Sequence, residues 1–449
     1  MDRRKFLRSF GAGTAGFWFS LTAQRSVAEN VNTENRPNFI FIFADDLGYG
    51  DLGCFGSQTI RTPRIDQLSR EGLTLTGFYS QPVCGPARIS LLSGCYPKRV
   101  NRMWALPEPE ITVAEILKKT GYTTGCVGKW DLSHRKFVEG MIPNDQGFDY
   151  YFGTLGANDD GSVMLYRNKQ QLHETSDMGS LTKLYTDEAL KFIKQNKNSP
   201  FFLYLPHTMP HIKIGVSNKF KGVSEGGLYG DVIEEMDWNV GRIIDTVKNL
   251  DLEKNTYIFF TSDNGPWLIK GDRGGSAAPL RNGKGSAWEG GFRVPCIIWA
   301  PGRAPAGKKS NELMATLDIL PTLVKLAGSK VPEGRTIDGV DQSDFISGKT
   351  VKSARDTFYY YVRDNLHAVR RGRWKLALPG RKKFFHYAKD KNPVIKPELY
   401  DLENDISEKH NIANKYPEIV DELLEIAGRV KKEFGDVDVT GANIRNRKK

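Results

Sequence analysis

The chain has 449 residues, 39% of them hydrophobic and 26% charged, a length that can bury a large core and hold two domains. Its formal net charge is +11, and five basic residues against one acid in the first 28 leave about +7 for the rest, a solvated basic surface able to attract polyanions. No lysine/arginine run interleaved with aromatics marks a nucleic-acid groove, and no later segment is long and apolar enough to act as a membrane anchor.

The N-terminus reads as an address. Asp2-Arg3-Arg4-Lys5-Phe6-Leu7-Arg8 precedes a weakly apolar stretch, and Ser26-Val27-Ala28 offers small residues for cleavage. The paired arginines resemble a bacterial twin-arginine signal, so residues 1–28 are expected to direct export to the periplasm or beyond. Gly11, Gly13 and Gly16 argue against an ordinary first helix, each weakening one by about 1 kcal/mol.

Beyond the leader, residues 38–44 form a continuous apolar run of strand length, as in a strand covered on both faces. Thr62-Pro63 opens a helix that Gly72 ends, with cap, first-turn proline and stop glycine in place. Helix patterns at 112–120, 182–195 and 229–249 alternate with strand-like runs at 122–127, 201–205, 256–261 and 295–299. This alternation predicts an α/β fold with a large, mostly parallel sheet sandwiched by helices over residues 36–345. After a Gly/Pro/Asp/Ser-rich connection at 329–350, short strands at 358–362, 367–369 and 374–378 and a helix at 417–434 predict a small antiparallel sheet with a helix over 350–440.

In such open sheets, reactive groups gather beyond the carboxyl ends of the strands. Asp45-Asp46, Asp263-Asn264 and the pair His207 and His211 all stand there. Adjacent carboxylates need a cation or solvent between them, and three carboxylates with an amide oxygen suit calcium, or magnesium, better than zinc. Either dipeptide alone is an ordinary strand-end turn; both in one sheet favour a shared metal site. Pro86 places Cys84 at the N-terminus of a helix continuing through Leu92, where free N–H groups favour an anion, and Arg88 lies one turn on. A low-pKa thiolate is one reading of such a cysteine. Cys54, Cys95, Cys126 and Cys296 are too few for a disulfide scaffold, and their pairing stays open.

Cys84-x-Pro86-x-Arg88 followed by Leu91-Leu92-Ser93-Gly94 resembles the signature of the type I, formylglycine-dependent sulfatases. Gly128-Lys129-Trp130, Met209-Pro210-His211, Ser262-Asp263-Asn264-Gly265 and Gly283-Lys284-Gly285 resemble further motifs of that family, as do Arg373-Trp374-Lys375-Leu376 and Glu398-Leu399-Tyr400-Asp401-Leu402 near the C-terminus. The resemblance runs in order from about residue 36 to 430, in the style of the arylsulfatase and N-acetylgalactosamine-6-sulfatase branch. It implies an alkaline-phosphatase-like fold, and conversion of Cys84 to formylglycine by a formylglycine-generating enzyme. It also implies calcium held by Asp45, Asp46, Asp263 and Asn264 with residue 84, and hydrolysis of a sulfated carbohydrate or aryl sulfate. Arg88, Lys129 and Lys284 would hold sulfate, and His211 would protonate the leaving alcohol.

One position departs. The family places a histidine two residues after the lysine of Gly-Lys-Trp, where this chain has Asp131. Asp131, His134 or His207 are then the candidates for the sulfate-release step. Two alternatives follow: a phosphate or phosphonate ester hydrolase of the same fold, and a sulfated-glycan-binding protein whose turnover is impaired at Asp131. Trp104 and Asp159-Asp160 lie in loops able to line the pocket.

Overall fold

The computed structural model describes residues 36–380, 384–437 and 439–445, so the expected export signal lies outside the described residues. The strand Asn38–Ala44 explains the rest of the architecture. Its side chains alternate between two faces, Phe39, Phe41 and Phe43 entering one core and Ile40, Ile42 and Ala44 the other. Burying each large apolar side chain contributes about 1.5–3 kcal/mol, so the run holds only between two helical layers. One layer contains helices Cys84–Ser93, Val113–Lys119 and Ile319–Leu326; the other contains Pro63–Glu71, Leu181–Gln195 and Gly227–Asn249.

Ten strands make the large sheet, in the order Lys308–Ser310, Leu73–Leu75, Cys296–Trp299, Thr256–Ser262, Asn38–Ala44, Phe201–Pro206, Thr123–Lys129, Tyr150–Thr154, Val163–Arg167 and Gln170–Thr175. The strands from Thr256–Ser262 through Tyr150–Thr154 are parallel, while Cys296–Trp299 on one side and the Val163–Arg167 and Gln170–Thr175 hairpin on the other run antiparallel. The expected sheet is therefore present, with antiparallel margins that the sequence pattern did not reveal. Gln170–Thr175 is polar and exposed and has no apolar alternation to announce it.

The C-terminal strands Thr357–Val362, Asn365–Arg371, Trp374–Ala377 and Glu398–Asp401 form an antiparallel meander, and Leu423, Ile426, Val430 and Phe434 of helix Pro417–Phe434 pack into its core. A buried ionic cluster ties this sheet to the segment after the large sheet's reactive edge. Lys375 Nζ lies 3.0 Å from Glu289 and 2.7 Å from Glu408, Tyr360 donates to Glu289 at 2.8 Å, and Tyr79 and Arg293 also engage Glu289. Burial opposes ionisation of Glu289, but Lys375, Arg293 and Arg370 outweigh it and hold the carboxyl down to about 2.

The ionised form therefore favours folding, fully above the ordinary value of 4.5 and less as pH falls toward 2. Glu289→Gln leaves Lys375 and Arg293 with an uncompensated share of buried charge and should lower stability by about 3 kcal/mol in urea unfolding at pH 7. A change below 0.5 kcal/mol would remove the cluster from the account.

Candidate active site

Register brings the reactive residues to one edge. Ala44 pairs with Ser262 and Phe43 with Pro206, so Asp45, Asp263 and His207 leave three neighbouring parallel strands at the same level. Lys129 ends the next strand, and Gly128 before it has φ 129, with space so tight that a Cβ would lie 1.9 Å from the Pro206 carbonyl oxygen. Only glycine fits there. Helix Cys84–Ser93 arrives from one face, buried at every residue, and closes at Gly94 with φ 67 and its N–H on Ser90.

These elements converge on a dry cluster of charge. Arg88 lies 3.3 Å from Asp45 and 3.0 Å from Asp263, with its other amino group on the Lys129 carbonyl at 2.9 Å. Lys129 Nζ is 2.6 Å from Asp45, and Lys284 Nζ is 2.7 Å from Asp46. Asn264 donates to Asp46 at 2.7 Å, and Asp263 accepts the Asp46 N–H at 3.1 Å. Asp46 takes the left-handed conformation, φ 69, which turns consecutive carboxylates toward one centre.

The acids do not balance among themselves. Burial raises the Asp45 carboxyl, but Lys129, His211, Arg88 and Lys284 together bring it below the usual range. Burial, with Asp45 beside them, pushes Asp46 and Asp263 up. Asp45 Oδ1 and Asn264 Oδ1 are buried without a hydrogen-bond partner. Ligand atoms of Asp45, Cys84 and Asp263 lie within 4.8 Å of one another, as do those of Asp45, Asp46 and His211. Oxygen donors, two of them unpartnered, and carboxyls that burial drives toward protonation fit a hard divalent cation.

The remaining expected residues fall into two groups. His211 joins the cluster: Nδ1 hydrogen bonds with the Ile212 carbonyl at 2.6 Å, which makes it the donor, and Nε2 faces Asp46 at 3.8 Å and Asp159 at 3.9 Å. Asn158, buried, holds this loop by donating to the carbonyls of His211 and Lys213 at 2.9 Å. His207 is buried with neither ring nitrogen bonded, and burial lowers it to about 4; His134 is exposed. Burial pushes the Cys84 thiol well up despite Lys129 and Lys284 nearby, so the low-pKa thiolate reading is corrected: desolvation overcomes the helix end. All five cysteines are free thiols.

Asp131 is buried, with φ 60. It accepts from Arg135 Nε at 2.9 Å, and its second oxygen lies 3.7 Å from Lys129 Nζ. Arg135 continues to Asp159 at 2.7 Å, making an arc from Asp131 to the carboxylate beside His211. Sequence reasoning missed Arg135, and also Trp267 and Tyr387, whose rings stand 4.6 and 5.1 Å from Lys284 Nζ. Tyr387 comes from the C-terminal part of the chain, where no motif marks it.

Acidic oxygens, buried cations and a histidine beyond the carboxyl ends of a mostly parallel sheet define an alkaline-phosphatase-like hydrolase site for an anionic ester. The profile of the family described as Sulfatase matches residues 37–329, and one described as N-sulphoglucosamine sulphohydrolase, C-terminal, matches residues 283–433. The N-acetylgalactosamine-6-sulfatase of Mus musculus is 36% identical over 379 residues, covering 76% of this chain and 72% of that protein. Among solved structures, the PsFucS1 sulfatase from Pseudoalteromonas sp. superposes with TM-score 0.81 at 26% identity, over 91% of this chain and 93% of that one. Ps i-CgsB in complex with k-i-k-neocarrahexaose superposes with TM-score 0.77 at 29% identity, over 88% and 92%. The chain belongs to the sulfatase family and is a sulfuric ester hydrolase.

Calcium titrated into metal-stripped protein should raise the unfolding midpoint, by an amount equal to about 2.7 kcal/mol at a hundredfold excess over Kd. Asp263→Asn should lose most of that shift. A wild-type midpoint unmoved by calcium or magnesium would contradict a metal centre here.

Proposed function

We propose that the protein hydrolyses sulfate monoesters on sulfated glycans through a formylglycine made from Cys84, with calcium held by Asp45, Asp46, Asp263, Asn264 and residue 84. The observation that carries this is the meeting of Cys84, at a buried helix N-terminus, with three carboxylates and three buried cations at one strand edge. That the substrate is a glycan is supported by the similarity to an enzyme bound to a carrageenan hexasaccharide and to an N-acetylgalactosamine-6-sulfatase.

In this reading a dication held by Asp45, Asp46, Asp263 and Asn264 would polarise a sulfate oxygen and favour the deprotonated nucleophile. A hydrated aldehyde at residue 84 would supply two hydroxyls on one carbon, one to take the sulfuryl group and one to re-form the carbonyl as sulfate departs. Lys129 and Lys284 carry fixed positive charge to the transferring group; burial opposes that charge, but Asp45 beside Lys129 and Asp46 beside Lys284 outweigh it and hold both above the ordinary lysine range. Arg88, locked between Asp45 and Asp263, aligns those carboxylates and opposes the protonation that burial favours at Asp263. His211 hands its proton to the leaving alcohol oxygen as the S–O bond breaks; burial and Lys284 hold its imidazole below the ordinary range in the free site, and the negative charge of a bound sulfate opposes them.

For release, Asp131 is the base the geometry favours. It is buried beside Lys129 and oriented by Arg135, and one oxygen has no hydrogen-bond partner. His134 is exposed, and His207 sits in a pocket whose burial alone lowers it. Residues 36–345 then form the catalytic part, with 350–440 contributing Tyr387 at its rim. Conversion of Cys84 by a maturation enzyme precedes folding, because the folded chain buries it. Export through the leader at 1–28 follows.

Mass spectrometry of the peptide containing residue 84, from protein made with its maturation enzyme and mixed with substrate, tests this. The expected product is the aldehyde or its hydrate, with a sulfate adduct that decays during turnover. An unmodified thiol in active enzyme would contradict the proposal. A permanent adduct would assign the impaired-turnover reading to Asp131.

A further inference from the structure

A cleft of about 580 Å³ opens beside the reactive edge, within the range of about 300–1,000 Å³ typical of small-molecule sites. Pro86, two residues along the helix from Cys84, forms part of its wall, and so does Trp104. The loop bearing Trp104 is seated directly on the reactive helix: a Cβ at Gly85 would lie 2.2 Å from the Met103 carbonyl oxygen and 2.3 Å from the indole. The opposite wall comes from the C-terminal sheet, through Tyr361, Arg363 and Phe385. The cleft is therefore built across the junction that the Glu289 cluster fixes.

Its charge is one-sided. Lys98 is paired with Asp364 at 2.9 Å and leaves no net charge. Among the described residues Arg102 hydrogen bonds only to a backbone carbonyl, that of Asn101 at 3.2 Å, and Arg363 lies over the Phe385 ring at 4.8 Å. Neither guanidinium meets a carboxylate among the described residues. Both forks thus line a partly apolar cleft beside the sulfate-cleaving centre, with donors free for a planar or tetrahedral anion.

We propose that this cleft is the subsite for the sugar next to the one carrying the scissile sulfate, and that Arg102 and Arg363 read an anionic substituent on that sugar, a sulfate or a carboxylate. The proposal rests on the sulfatase reading for its substrate class but not for its binding geometry. It makes the preferred substrate an oligosaccharide with repeated anionic groups rather than a lone sulfated sugar. An aryl sulfate has nothing to place in the cleft.

The test is calorimetric titration of the full mature chain with two tetrasaccharides, one of neutral sugars bearing sulfates and one of alternating uronate and hexosamine bearing sulfates. Alongside it, hydrolysis of 4-methylumbelliferyl sulfate and thermal unfolding are followed. In Arg102→Ala/Arg363→Ala, affinity for at least one tetrasaccharide should fall tenfold or more, while aryl sulfate kcat/KM stays within about twofold and the unfolding midpoint holds. Arg102→Lys/Arg363→Lys should recover only part of the affinity, since the forked donors are lost. A loss confined to the neutral-sugar ligand assigns sulfate, and a loss confined to the uronate ligand assigns carboxylate. Equal affinity in wild type and double alanine variant, or no wild-type binding of either, overturns the proposal. Arginine-dependent binding without hydrolysis of any sulfate ester would sustain the cleft and sink the sulfatase reading instead.

Discussion

The structure turns on the concentration of like charge in a place that water does not reach. Asp45, Asp46 and Asp263 sit at adjacent strand ends with almost no exposure, and Arg88, Lys129 and Lys284 are the protein's own answer to them. That answer is incomplete: one oxygen of Asp45 and the amide oxygen of Asn264 stay unbonded, and burial still pushes Asp46 and Asp263 toward protonation. In the proposed account a divalent cation would complete the balance, and Lys129 and Lys284 would then be available to an incoming sulfate.

The fold exists to hold that arrangement rigid. Two cores grip the Phe39–Ala44 run from opposite faces, and Gly128 lets the Lys129 strand pass within contact of Pro206. The fully buried helix after Val83 aims residue 84 at the carboxylates and sends Arg88 between them. The C-terminal sheet is locked on through Lys375, Glu289 and Glu408, and it delivers Tyr387 to Lys284 and Arg363 to the neighbouring cleft. Chemistry and recognition thus come from distant parts of the sequence joined by one buried ionic cluster.

Much of this was legible beforehand where local pattern and tertiary role coincide. The apolar run at 38–44, the capped helix at 63–71 and the closing helix at 417–434 carry their own signals, and the motif residues converge as expected. The polar, exposed edge strand at 170–175 gave no apolar periodicity to read. Arg135 looked like any surface arginine, because its partnership with Asp131 and Asp159 depends on left-handed backbone at both Asp131 and Arg135. Of the readings that local pattern leaves open for Cys84, the low-pKa thiolate falls for a physical reason: a helix end lowers a pKa only when burial does not outweigh it. The departure at Asp131 acquires a meaning only in three dimensions, as a buried carboxylate oriented by Arg135 beside Lys129.

The central claim is that attack in this site falls on the sulfur of the ester and not on the sugar carbon. Turnover of a sulfated oligosaccharide in ¹⁸O-labelled water, followed by mass analysis of both products, tests this directly. The account predicts label in the released sulfate and none in the sugar hydroxyl. Label in the sugar hydroxyl would mean cleavage of the carbon–oxygen bond, and the account of this site would be wrong.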